Sequence, residues 1–196
     1  MQVTTHLDSS LRERADDPGE LQEALESEAN DLRSVREALA EDPEELDVTR
    51  LARVLNRLAD HLRLDGRFES AAEYAEQARD IWHDMGRRRA EFLSELRRIH
   101  ALGDRPESPE AWRQARQACD TLVDRAKADD KLGIYLDFGL ERRGIITWRI
   151  GETESALTDL RDALEIRRTR EVVRLADRTK EIIDHIEHTE STLPTD

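Results

Sequence analysis

The sequence predicts an all-α fold, and three observations carry the prediction. Apolar residues recur at three- and four-residue spacings along most of the chain, with no sustained two-residue alternation. Punctuation is sparse, eight Gly and five Pro among 196 residues, and much of it falls between the periodic stretches. Three stretches repeat one triad of small or apolar residues at i, i+4 and i+7: Ala71/Ala75/Ala78, Ala111/Ala115/Ala118 and Ala156/Leu160/Ala163. Small side chains at those offsets let two helices approach at the short end of the ~8–10 Å interaxial range.

Each element follows from its own pattern. Residues 1–17 read as a polar N-terminal segment, ended by Asp17-Pro18-Gly19. Residues 18–45 read as an acidic helix whose stripe is Leu21, Leu25, Leu32, Val35 and Leu39, with Glu28 and Ala29 at its gap. Asp42-Pro43 ends it, because a residue before proline disfavours the α region. Asp47 is a candidate N-cap for the next helix, striped by Leu51, Val54, Leu55, Leu58 and Leu62 and stopped by Asp65-Gly66. The Ala71 triad then forms a helix closing near Met85-Gly86. Phe92, Leu93, Leu96, Ile99 and Leu102 mark another that ends at Gly103. A Pro106/Pro109 loop precedes the Ala111 helix, a helix spans about 131–150, Gly151 breaks it, and the Ala156 helix follows. A last helix, residues 169–188, carries Val172, Val173, Ala176, Ile182, Ile183 and Ile186, and residues 189–196 read as a disordered tail.

Charge narrows the function classes. The chain carries 31 basic and 45 acidic side chains, a formal net charge of −14. The excess is local: residues 1–48 hold 15 acids and four Arg, whereas the rest holds 30 acids and 27 basic residues. With no net positive field to release counterions, nonspecific nucleic-acid binding is not expected. No apolar run approaches the ~18 residues of a membrane span, so no membrane partner is expected. The N-terminus lacks a basic and apolar leader pattern and Cys119 is the only cysteine, which together predict a cytoplasmic, reducing setting. Of the basic residues 28 are Arg, the side chain suited to bidentate carboxylate recognition.

Leu55, Leu58, Ala59, Leu62, Gly66, Phe68, Ala71 and Ala78 resemble the consensus of a tetratricopeptide repeat (TPR). Leu140, Gly144, Gly151, Ala156 and Ala163 resemble a second copy, in which Arg143 departs from the usual Leu. The middle copy keeps the Ala stripe but has Pro106 at the turn, and Pro43 resembles a repeat-closing proline. The Ala71–Ala111 and Ala111–Ala156 spacings exceed the ~34 residues of that family. They are closer to repeats of the kinesin light chain type, or to HEAT and armadillo arrays, which lack the Gly66-x-Phe68 turn. The resemblance implies a right-handed array of about three antiparallel helix pairs over residues 46–168, between the N-terminal helix and a C-terminal capping helix.

The resemblance also implies a concave groove binding a peptide. The family's groove slots carry over to Arg53, Asn56, Asp60 and Arg63 from the first copy, Ser94 and Arg98 from the middle, and Phe138, Glu141, Ile145 and Trp148 from the third. Arg and Asn together offer donors and an acceptor to a peptide backbone or an acidic or C-terminal carboxylate. The acidic helix has three readings: it caps the first repeat, pairs with another chain through Leu21/Leu25/Leu32/Val35/Leu39, or folds back into the groove. Trp148 lies on a stretch apolar on too many sides for a two-layer hairpin, so either the last helix covers it or it forms a binding patch. His185 and His188 stand at i, i+3, a spacing open to a metal but more commonly a solvated face. Cys119, beside an Ala stripe, reads as a small buried hydrophobe. No GxSxG, P-loop, GxGxxG, HExxH or CxxC occurs. The expectation is therefore a non-enzymatic adaptor, scaffold or chaperone-like module without cofactor or metal. The alternative is an oligomerising structural component that uses the N-terminal stripe or Trp148.

Overall fold

In the computed structural model, which describes residues 3–42, 44–106 and 108–191, the chain is all-α, with nine helices and one small hairpin among the described residues. It divides into two compact units, residues 1–108 and 109–196. The Pro43 reading and residues 192–196 lie outside the described residues.

Unit 1 begins with strands β1 (Thr5–Leu7) and β2 (Glu13–Ala15), paired antiparallel with His6 opposite Arg14. The expected polar segment is thus a hairpin. Its pattern is too short to register as alternation, and its loop is held by Asp8, whose carboxylate accepts from Ser10 N, Arg12 N and Arg14 Nε. Burial works to raise the Asp8 pKa, but these donors outweigh it and lower it.

The helices of unit 1 are α1 (Pro18–Glu41), α2 (Glu45–Leu64), α3 (Phe68–Asp84) and α4 (Arg88–Asp104). Asp17 caps α1 by accepting from Gly19 N and Glu20 N, and Pro18 takes the first-turn position where its missing N–H costs nothing. Helix α2 starts earlier than Asp47: its cap is Glu44, and Asp47 lies in the first turn. Arg57 bonds Glu28 and Asp31 across the α1–α2 contact, and the ion pairs Asp60–Arg97 and Arg63–Asp104 show α2 and α4 running parallel. The stripe residues Leu21, Leu25, Leu32 and Val35 are buried with Val54, Leu55, Leu58 and Leu62, and Leu39 packs beside them. This corrects the reading of that stripe as an oligomer contact, because the chain's own α2 already occupies it.

Unit 2 contains α5 (Pro109–Ala128), α6 (Asp130–Gly133), α7 (Leu136–Arg149), α8 (Thr153–Thr169) and α9 (Val173–Ser191). The single helix expected over 131–150 is broken at Ile134–Tyr135. The two carbonyls the break exposes, Gly133 O and Ile134 O, accept from the Arg170 guanidinium at 3.0 and 2.8 Å. The last helix starts at Val173 rather than at residue 169, and Thr189–Ser191 continue it rather than belonging to the tail. Arg116–Thr147 and Arg143–Asp120 tie α5 antiparallel to α7. Glu141–Thr179 and Trp148–His185 place α7 and α9 side by side and parallel. Each unit therefore repeats one order: an outer helix, an inner helix, a second outer helix, and a last helix parallel to the inner one.

Three helix-to-helix turns, two in unit 1 and one in unit 2, use one device. Gly66, Gly86 and Gly151 have φ of 81°, 64° and 93°, the left-handed region in which glycine carries no Cβ penalty. The turn after α8 puts Glu171 there instead, at φ 58°. Among the described residues no helix is long and apolar enough to cross a membrane.

Candidate peptide-binding face

The ten residues assigned to one groove fall in both units, and only part of the set lies open. On α2, Arg53, Asn56, Asp60 and Arg63 share the face turned toward α4. Arg53 is exposed and makes no ion pair among the described residues. Asn56 is half-buried, and its Oδ1 is occluded without a hydrogen-bond partner. Asp60 accepts from Arg97 Nε at 2.9 Å.

Arg63 is a structural residue rather than an open clamp. It is buried, donating to Asp104 at 2.8 Å and to Glu13 of β2. Burial works to lower its pKa, but the Asp104 and Glu13 carboxylates overcome this and hold it charged above its ordinary range. Ser94 is corrected in the same way: it is fully buried and its hydroxyl donates back to Ala90 O at 3.0 Å. Arg98 points toward α3, where it shares Glu95 with Arg79. Burial would raise the Glu95 carboxyl, but the two guanidiniums bring it below its usual value.

In unit 2 the four assigned residues belong to the interior or its margin. Ile145 is fully buried. Glu141 is buried against Arg167 and Thr179. Phe138 lies under the Arg167 guanidinium, whose central carbon is 5.2 Å from the ring centroid. Trp148 meets the His185 ring edge-on, centroids 5.9 Å apart and planes at 82°, so α9 covers the face that sequence left open. These four contribute packing and buried charge rather than a free surface.

The organising residue in unit 2 went unread. Arg167 is 1 % exposed and donates to Asp137 at 2.9 Å, to Glu141 and to Thr179. A signal existed: Leu160, Ala163, Leu164 and Arg167 continue one helical stripe, and a cation on an apolar stripe needs buried carboxylates. Arg143, the departure from the repeat pattern, likewise donates to Asp159 at 2.7 Å and to Asp120 at 3.1 Å. Glu28, at the gap in the first stripe, is buried and accepts from Arg57 at 2.6 Å.

The remaining candidates have simple placements. Cys119 is fully buried, and burial pushes its thiol up to about 12, so at neutral pH it carries a proton. Among the described residues no three His, Cys, Asp or Glu side chains converge where a metal could sit. Of this set the Arg53 guanidinium is thus the exposed group, with the half-buried Asn56 amide and the Asp60–Arg97 pair beside it.

No known protein family matches this chain, and no curated protein matches it either.

Proposed function

We propose that the chain is a TPR-like, non-enzymatic protein-interaction module, an adaptor or scaffold that holds a peptide segment against the α2–α4 face of its first unit. The helix order within each unit supports the repeat reading: inner helices parallel, outer helices antiparallel to them, tight turns with positive φ between. One observation supports the ligand. Among the described residues Asn56 Oδ1 is an acceptor lacking a partner, one turn from Arg53, which makes no ion pair there. A buried acceptor left without a donor costs about 1–3 kcal/mol, which a peptide N–H would recover once the Asn56 amide turns outward to meet it. Arg53 then selects a segment carrying a carboxylate.

The test begins with a partner recovered by affinity purification from the native host, rebound to purified protein. Arg53→Glu with Asn56→Ala is expected to abolish rebinding while the far-UV circular dichroism stays that of wild type. Undiminished rebinding by the folded double variant refutes the assignment of the face.

A further inference from the structure

Beside the stripe packed on α2, α1 leaves an opening toward α3, where the edges of the buried Leu25 and Leu32 meet the exposed Glu26 and Ala29. A trough of about 350 Å³ runs between α1 and α3, floored by Leu58 and Leu62. It passes into a hollow of about 440 Å³ on α1 itself, with Ala29 and Leu32 common to both. Together they follow α1 from Gln22 to Ala40, about 27 Å at 1.5 Å per residue.

The charges along this opening are ordered. Glu26 lies toward the N-terminal end, and Arg33 and Arg36 toward the C-terminal end; all three are exposed. Arg50, Arg57, Arg79 and Arg97 each meet a carboxylate within unit 1, whereas Arg33 and Arg36 make no ion pair among the described residues. An antiparallel second copy of α1, related by a twofold axis at the level of Asp31, faces Glu26 with the partner's Arg36. It also sets the partner's Arg33 across the small Ala29, whose missing bulk accommodates the arginine stem. Twofold symmetry doubles both contacts, as an isologous interface requires.

We propose that a second copy of this chain docks in the α1 trough, forming a homodimer through antiparallel α1–α1 pairing. This contact is separate from the α2–α4 face proposed for peptide. One helix stripe with the flank of α3 places the interface at the small end of the ~1,200–2,000 Å² range, so the dimer is reversible and depends on concentration and salt.

Sedimentation velocity on the full chain across a concentration series tests this. Wild type is expected to shift from monomer to dimer. Arg36→Glu alone, and Glu26→Arg alone, should each raise the dissociation constant at least tenfold, because each sets two like charges in contact. Mixing the two single variants should restore the dimer as a heterodimer, and Glu26→Arg/Arg36→Glu in one chain should restore a homodimer. Both positions are exposed, so circular dichroism should be unchanged throughout. A wild type that stays monomeric up to about 1 mM, or a dimer indifferent to these reversals, overturns the proposal.

Discussion

Replacing Arg167 with methionine is the sharpest test of the interior of unit 2. Arg167→Met keeps an unbranched chain against Phe138 but removes the cation shared by Asp137 and Glu141, whose side chains are almost wholly enclosed. Breaking a buried ion pair from one side costs about 3–5 kcal/mol, because the orphaned charge stays desolvated. Two contacts soften the loss here. Asp137 keeps Arg170 at 3.1 Å, and Glu141 keeps the Thr179 hydroxyl at 2.9 Å. These bring the expectation to the lower half of that range, about 3–4 kcal/mol. Urea unfolding followed by Trp fluorescence measures the loss, and hydrogen exchange should place the lost protection in α7, α8 and α9. Arg167→Met with Glu141→Leu should then be more stable than Arg167→Met alone by at least about 1 kcal/mol, because the second change removes the orphan. A single-variant loss under about 1 kcal/mol, or simple additivity in the double variant, refutes the view that this charge is held by its carboxylates.

Two further outcomes follow from burial elsewhere in unit 2. A Cβ at Gly144 would stand 2.8 Å from Leu160 Cγ and 3.0 Å from Ala156 O. Gly144→Ala should therefore lower stability by about 1–3 kcal/mol, read from the urea midpoint, despite alanine's better helix propensity; a stabilised variant contradicts the close α7–α8 approach. The Cys119 thiol, moved by burial from 9.0 to about 12, gives a pH signature. Above pH 9 the unfolded chain releases this proton and the folded chain keeps it, so stability falls as pH rises toward 12. The stability gap between wild type and Cys119→Ala should narrow by about 2 kcal/mol between pH 7.5 and 10.5, at about 1.4 kcal/mol per pH unit, and a gap constant over that interval is the contrary result.

The helices were legible because their determinants are local. Spacing marks the buried face, Asp17-Pro18 marks a start, and Gly66 and Gly151 mark turns, all within a few residues of the structure they cause. Where the reading slipped, the cause was longer in range. The 131–150 helix breaks at Ile134–Tyr135 under the reach of Arg170, some 36 positions away. The hairpin at residues 5–15 is fastened by Glu13 to Arg63, 50 positions on. The groove suffered most. Arg63, Ser94, Glu141 and Ile145 occupy helix faces that look like any polar or mixed face in one dimension, and each is buried by a neighbouring helix the spacing does not name.

By itself, then, the sequence determined the all-α class, the core stripes and the glycine turns, since 3.6-residue periodicity and backbone preference act within one or two turns of chain. Only the tertiary structure decided which charges became interior and which stayed available. It enclosed Arg63 and Arg167 among carboxylates from other elements and left Arg33, Arg36 and Arg53 without ion pairs among the described residues. All five are arginines on helices, and in sequence they look alike. Their difference is desolvation, a property of what packs against a side chain.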